Sequence, residues 1–333
     1  MSRRPTWLDE RSDPPLRRAA LLPLAAAAAL YGLGARTHRA AYRSGLRRAA
    51  RLPCAVVSVG ALSAGGSGKT PVAAALAAGL RARGERVALA SRGYGRVGGG
   101  EIELVSDGKA LRSDVGRAGD EPLLLAAAAP GVPVVVARDR ARAGRRAVAE
   151  FRTGLLVLDD GFQHHRLARD LDVVVLDGSE GLGNGSVLPR GPLREPPAAL
   201  RFAHAIAVVD GPLPAADDAR VRELAPAAAR FIVRRVPRAL RRLRDPAAGA
   251  RATDSLLREP DPLDEPPAAL AGREVGLLSG LARPASFRRT VEALGARVVA
   301  ERRFPDHHPY AARDLAGLGA AAPLWITTEK DAV

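Results

Sequence analysis

The chain of 333 residues is poor in several residue types. It has one cysteine (Cys54), one methionine, one asparagine (Asn184), one glutamine (Gln163) and three lysines (Lys69, Lys109, Lys330). A single cysteine excludes an internal disulfide and a cysteine-built metal site, and it fits a reducing compartment. Aromatic residues make up 4% and do not alternate with basic ones, which removes the stacking platform that a single-stranded nucleic acid needs. Arginine has taken nearly every basic position. A lysine that remains therefore marks a place where a compact point charge serves and a planar fork does not.

What is abundant is positive charge and apolar mass. The net charge is +15, which calls for an anionic partner, and 47% hydrophobic content supplies a large core. Between Arg17 and Arg51 lie eight arginines (17, 18, 36, 39, 43, 47, 48, 51) and no acid. They flank "AALLPLAAAAALYGLGA" (19–35), 17 residues without a charge. As a helix this run is roughly 25 Å long, slightly short for a bilayer core, and it is mostly alanine. The pattern predicts an interfacial helix with a basic second helix behind it. Residues 1–51 are thus expected to form a membrane-associated segment, peripheral rather than spanning.

From 52 to 235 one design recurs. Four apolar runs (132–139, 154–161, 171–178, 204–211) end at an acid or a glycine; together with the β-branched strand 54–62 and the strand and loop "RVALASRGYG" (86–95) they alternate with helical stretches. This predicts an α/β core with a mostly parallel sheet flanked by helices, its site at the carboxyl ends of the strands. Residues 236–270 read as an irregular linker. Residues 271–333 read as a smaller α/β unit, whose last strand is open to return to the core.

The chemistry concentrates at the strand ends. "SAGGSGKT" (63–70) follows the first core strand and precedes a helix, the order a P-loop needs. Ser63, Ala64, Gly65, Gly66, Ser67 and Gly68 would offer backbone N–H groups to phosphate, Lys69 a cation, and Thr70 a hydroxyl for Mg²⁺. Asp159 and Asp160 end an apolar strand, as in a Walker B element. Gln163 and His164 follow directly, although a His-His pair alone is a weak zinc signal. Asp120 stands before a helix, where an N-cap is the commoner role. Arg92 and Arg140 sit at strand ends suited to phosphate. The glycine- and proline-rich loop 181–196 carries Arg194 and Glu195, and "FPDHHPY" (304–310) brings His307 from the distal unit.

Taken in order, "SVGALSAGGSGKTP", "SRGYGR", "GDEP", "VARDR", "VLDDGFQHHRLARDLDVVVLD", "GLGNGSVLPRGPLREP", "FPDHHPY" and "TTEKDAV" resemble the tetraacyldisaccharide 4′-kinase (lipid A 4′-kinase) family over almost the whole chain. The resemblance implies a P-loop α/β enzyme in two domains that uses ATP and Mg²⁺. Its acceptor would be the 4′-hydroxyl of an acylated glucosamine disaccharide 1-phosphate, met at the cytoplasmic face of the bacterial inner membrane. It further implies Asp120 paired with His307 on the base side. Thr70, Asp159, Asp160 and Glu195 would take the metal and phosphate region. Arg92, Tyr94, Arg140, Gln163, His164 and Arg194 match further site positions. No nucleic acid and no stable protein partner are expected. Gly60-Ala61 departs from the family's usual Gly-Asn. The reading from another class is a membrane-associated P-loop switch ATPase. Such proteins often carry an extra lysine early in the loop, and here that place is Ala64.

Overall fold

The computed structural model describes residues 20–98, 100–243 and 264–332. The expected loose start at 1–15 and the middle of the 236–270 linker lie outside these residues.

The chain enters through helix α1 (Leu22–Arg43) and builds a core sheet from eight strands. In chain order these are β1 (Ala55–Ala61), β2 (Val87–Ser91), β3 (Ile102–Asp107), β4 (Pro133–Ala137), β5 (Leu155–Asp159), β6 (Leu171–Asp177), β7 (Ala205–Val209) and β8 (Ala229–Val233). The spatial order is β3-β4-β2-β5-β1-β6-β7-β8, parallel throughout except for the antiparallel β3–β4 pair. Four helices accompany them: α2 (Lys69–Ala82), α3 (Asp120–Ala128), α4 (Arg140–Phe151) and α5 (Ala215–Leu224). Side chains alternate across the pleat. Val59, Leu89, Val134 and Val157 therefore pack with Ala73 and Ala77 of α2 and Leu123 of α3 on one face. Val56, Ala88, Val135 and Leu156 pack with Ala143 and Ala147 of α4 on the other. A sheet covered on both faces needs strands that are apolar all along, which is why the runs were visible in the sequence. The strands β3 and β8 were not. They are the two edges, and β8 is largely open to solvent.

A second sheet, β10-β9-β11, is built from β9 (Glu274–Ser279), β10 (Arg297–Arg303) and β11 (Trp325–Ile326), with α6 (Pro284–Ala293) packed on it. Leu270, Val275, Leu277, Val291 and Ala296 form its own core. The last strand does not return to the core sheet. Trp325 and Ile326 pair in parallel with Gly276 and Leu277, because the Trp325 ring fits only against a residue without a side chain.

At the N-terminal end the structure differs from expectation. Instead of an apolar helix and a basic second helix, α1 is one continuous helix of 22 residues. Pro23 falls in its first turn, where its missing N–H leaves no intrahelical bond unmade. Ala28 and Gly32 face the core, while Leu22, Leu30 and Leu33 stay exposed. Among the described residues no helix is long and apolar enough to cross a membrane.

Candidate active site

The strand β1 lies at the sheet's centre between β5 and β6; the chain leaves it toward β2 on one side and, after β5, crosses to β6 on the other. That is where a parallel sheet opens a crevice at its carboxyl end. The loop Ser63–Gly68 fills the mouth. Its path is pinned from outside the loop, by the Ala64 amide donating to the Pro192 carbonyl (2.8 Å) and by a bridge between Ser63 and Leu193. Gly68 is left-handed (φ 82°) and caps α2 without a side-chain hydrogen bond. The first amides of α2 are therefore not taken by a cap, and they carry the favourable potential of a helix N-terminus for an anion. Lys69 is buried, its Nζ 3.5 Å from the Gly65 carbonyl, and the Ser67 hydroxyl is buried with no partner.

Asp159 ends β5 beside this loop. It is fully buried. Its Oδ2 accepts from the Thr70 hydroxyl (3.3 Å), and its Oδ1 has no partner. Burial, then the nearby Glu121 and Asp160 carboxylates, push its pKa up to about 7, against the pull of Lys69 and Thr70. A buried carboxylate with a vacant oxygen next to a threonine hydroxyl and a phosphate loop fits a divalent cation, whose charge would relieve that cost. The donor set fits Mg²⁺, which takes few protein oxygens.

Asp160 is placed differently. Both its oxygens accept from Arg194 Nη1 (2.8 and 2.7 Å). Burial raises its pKa, but Lys69 and Arg194 outweigh this and hold it below the usual carboxylate range. The turn behind it is tight. A Cβ on Gly161 would lie 2.8 Å from Leu158 Cβ and from Ser58 Oγ, so only glycine lets the chain fold back on β1. The fold-back carries Gln163, whose Nε2 donates to the Ala61 carbonyl (3.1 Å) while its Oε1 is buried without a partner. Ala61 thus acts through its backbone. His164 Nε2 is also buried and unpartnered, and burial together with Arg140 lowers its pKa to about 4, leaving the ring neutral. Arg140, the first residue of α4, is buried. It donates to the carbonyls of Arg138 (3.2 Å) and Asp160 (3.4 Å) and keeps Nε unpaired. Burial brings even this guanidinium down to about 10.

Asp120 is not the N-cap. Gly119 holds that place, and Asp120 is the first residue of α3. Its Oδ1 accepts from the Glu121 amide (2.9 Å), and its Oδ2 meets His307 Nδ1 at 2.8 Å. His307 comes from the smaller unit, with a left-handed backbone (φ 58°). The exposed Tyr94 lies against its ring, centroids 5.6 Å apart. Arg92, two residues earlier, is exposed. His308 turns away, stacking on Phe304 at 4.4 Å and pairing with Asp314 at 3.1 Å.

Glu195, expected in the metal region, is engaged by another side chain. Both its oxygens are held by Arg39 of α1, Nε and Nη2 each at 2.7 Å, in a buried bidentate pair. A bidentate fork of this kind is among the stronger charge-assisted pairs. Arg39 is the residue that sequence reasoning misread. Counted in a basic block, it is one of three buried residues of α1, and its guanidinium lies 4.4 Å from the Phe162 ring centroid. Nothing in its helical spacing separates it from the exposed arginines around it. Two further residues went unassigned. Arg283 pairs with Asp177 (2.7 Å) and Glu180 (2.6 Å), and Lys330 lies beside His307. The scarcity of lysine was the signal for the second.

Comparison with known proteins shows the family. Residues 18–333 match the family model described as tetraacyldisaccharide-1-P 4′-kinase. The chain is 47% identical to the tetraacyldisaccharide 4′-kinase of Anaeromyxobacter dehalogenans (strain 2CP-C), covering 98% of this chain and 84% of that protein. It is 42% identical to that of Chromobacterium violaceum over 91% of this chain and 80% of that one. Its fold is similar to the crystal structure of the "apo" form of LpxK from Aquifex aeolicus in complex with ATP, with a TM-score of 0.70 and 30% identity over 95% of this chain and 89% of that one. Matched over nearly its whole length by the family model and by curated relatives, the chain belongs to the tetraacyldisaccharide-1-P 4′-kinase family.

Proposed function

We propose that the chain transfers the γ-phosphoryl group of ATP to the 4′-hydroxyl of a tetraacyl glucosamine disaccharide 1-phosphate. The observation that carries the reading is the 2.8 Å pairing of Asp120 with His307 across two separately packed units, beside a phosphate loop. Phosphoryl transfer asks for positioning and charge stabilisation more than for covalent chemistry. The amides of residues 65–70 and Lys69 would hold the phosphates, and the unpaired Nε of Arg140 would take a phosphate oxygen. Mg²⁺ would be held by Thr70 and Asp159, where it would draw charge from the phosphate oxygens. Asp120, steadied by His307, would accept the acceptor hydroxyl's proton as that oxygen attacks. Tyr94, beside His307, and Arg92 would rim this place, Gln163 and His164 would offer neutral polar atoms, and Arg194 holds Asp160 in its turn.

The lipid side rests on α1. Its exposed Leu22, Leu30 and Leu33 suit the interface of a bilayer, lying on the cytoplasmic face without crossing it. A cavity of about 360 Å³ lies between α1 and residues 195–202. It is rimmed by Arg36, Arg43 and Arg201, which have no carboxylate partner among the described residues, and this suits an anionic amphiphile. The test is labelled ATP with a lipid A disaccharide 1-phosphate in detergent. Label on the lipid is expected. ATP turnover with no labelled lipid would instead favour the switch ATPase.

A further inference from the structure

The smaller unit brings three charged or titratable side chains against Asp120. His307 Nδ1 meets Asp120 Oδ2 at 2.8 Å. On the far side of the ring, Lys330 Nζ lies 3.4 Å from His307 Nε2, and Asp306 Oδ2 lies 3.7 Å from the same nitrogen. Lys330 is ion-paired with Asp306, and its Nζ is 4.0 Å from Asp120 Oδ2. Its side chain is only 19% exposed. Together with the Tyr94 ring, these groups surround the imidazole: one carboxylate on Nδ1, and on Nε2 a cation held in place by a second carboxylate.

An ammonium group can only donate, so a hydrogen bond across this 3.4 Å contact would have His307 Nε2 as its acceptor. An imidazolium would place an N–H against that ammonium. In that arrangement the ring proton would be on Nδ1, donated to Asp120. We propose that Lys330 is a positioning residue for this reaction, fixing His307 as the neutral Nδ1–H tautomer so that Asp120 stays an anionic acceptor. Asp120 then takes the hydroxyl proton while the acceptor oxygen bonds to the γ-phosphorus and the bond to ADP breaks. The argument rests on the reading of Asp120 as the base. It also explains a lysine in a chain that has only three: a guanidinium fork would spread its donors over Asp306 and Asp120 rather than address one nitrogen.

The test uses the full chain in detergent, with labelled ATP and the lipid disaccharide. Lys330→Met is expected to lower kcat by about 10- to 100-fold with little change in KM for ATP. It should also move the acid limb of the rate profile to higher pH, since the ring can then take a second proton and tie up Asp120. In a His307→Ala background the same substitution should cost less than about twofold, because both act through one contact. Equal losses in both backgrounds, or an unshifted acid limb, would overturn the proposal. A measurement on the unaltered protein covers the case in which Lys330→Met does not fold. The ¹⁵N shifts of the His307 ring, assigned by the signal lost in His307→Ala, should show Nδ1 protonated and Nε2 bare. The opposite pattern overturns it. If Asp120→Asn and His307→Ala leave kcat near normal, the base reading itself fails. If they cripple it and Lys330→Met does not, only the role of Lys330 fails.

Discussion

Asp120 and Asp159 are both acids at the mouth of one crevice, and their surroundings give them different work. Asp120 is hydrogen-bonded by an amide and a histidine, whereas Asp159 is buried with one oxygen bare. Removing the first should strike turnover and spare folding. Asp120→Ala is expected to lower kcat by about 10²–10⁴-fold with ATP affinity retained, as read by the lipid-labelling assay and by nucleotide titration. Removing the charge of the second should do the reverse to stability. A carboxyl whose folded pKa is raised to about 7 from 3.8 binds more protons folded than unfolded, so its cost to the fold grows as pH rises through that window and is complete above about 7. Asp159→Asn should therefore raise the metal-free melting temperature at pH 8 more than at pH 5, while Mg²⁺-dependent activity falls. An equal shift at both pH values would show that the burial cost is not electrostatic.

At the level of elements, α1 is attached by one buried ion pair. Arg39 and Glu195 have side chains 7% and 4% exposed. Losing one partner leaves the other charged and buried, which costs about 3–5 kcal/mol, whereas replacing both with apolar or neutral groups of like shape is often close to neutral. Arg39→Met should thus destabilise strongly in urea unfolding, and Arg39→Met with Glu195→Gln should recover most of the loss. The opposite face of the same helix carries the membrane reading. Leu30→Glu with Leu33→Glu alters only exposed positions, so it should leave the unfolding midpoint nearly unchanged while abolishing co-sedimentation with vesicles of anionic phospholipid. Sedimentation at the original level would remove α1 from that role.

For the whole molecule, the relevant contact is between the two sheets. Arg283, just before α6, reaches Asp177 and Glu180 at the end of β6. Next to it, the Ala282 methyl lies 3.9 Å from where a Cβ on Gly65 or Gly66 would be. The smaller unit therefore sits over the phosphate loop as well as meeting Asp120, and Arg283 is one of the charges that tie it there. Arg283→Ala should loosen closure, raising the radius of gyration in X-ray scattering and admitting water. Wasteful ATP hydrolysis is expected to rise relative to lipid phosphorylation. A ratio unchanged from the parent would show that closure does not depend on this arginine.

Much of this was legible in the residues themselves. The strands β1, β2 and β4–β7 announce themselves because a parallel sheet buried on both faces demands continuous apolar runs. The loop 63–70 and the pair Asp159-Asp160 are local, since strand, turn and helix follow one another in the chain. What tertiary structure alone decided involves partners far apart in sequence. That both oxygens of Glu195 are held by Arg39, 156 residues away, could not be read from either segment. Local sequence alone would make Asp120 a helix cap; its pairing with His307, 187 residues away, was implied only by the family resemblance, and the fold sets its 2.8 Å geometry. The last strand stayed with β9 because Gly276 leaves room for Trp325. Local sequence selects the element and the turn, because those energies act within a few residues. The partner of a buried charge is selected by whatever the completed fold carries to its side.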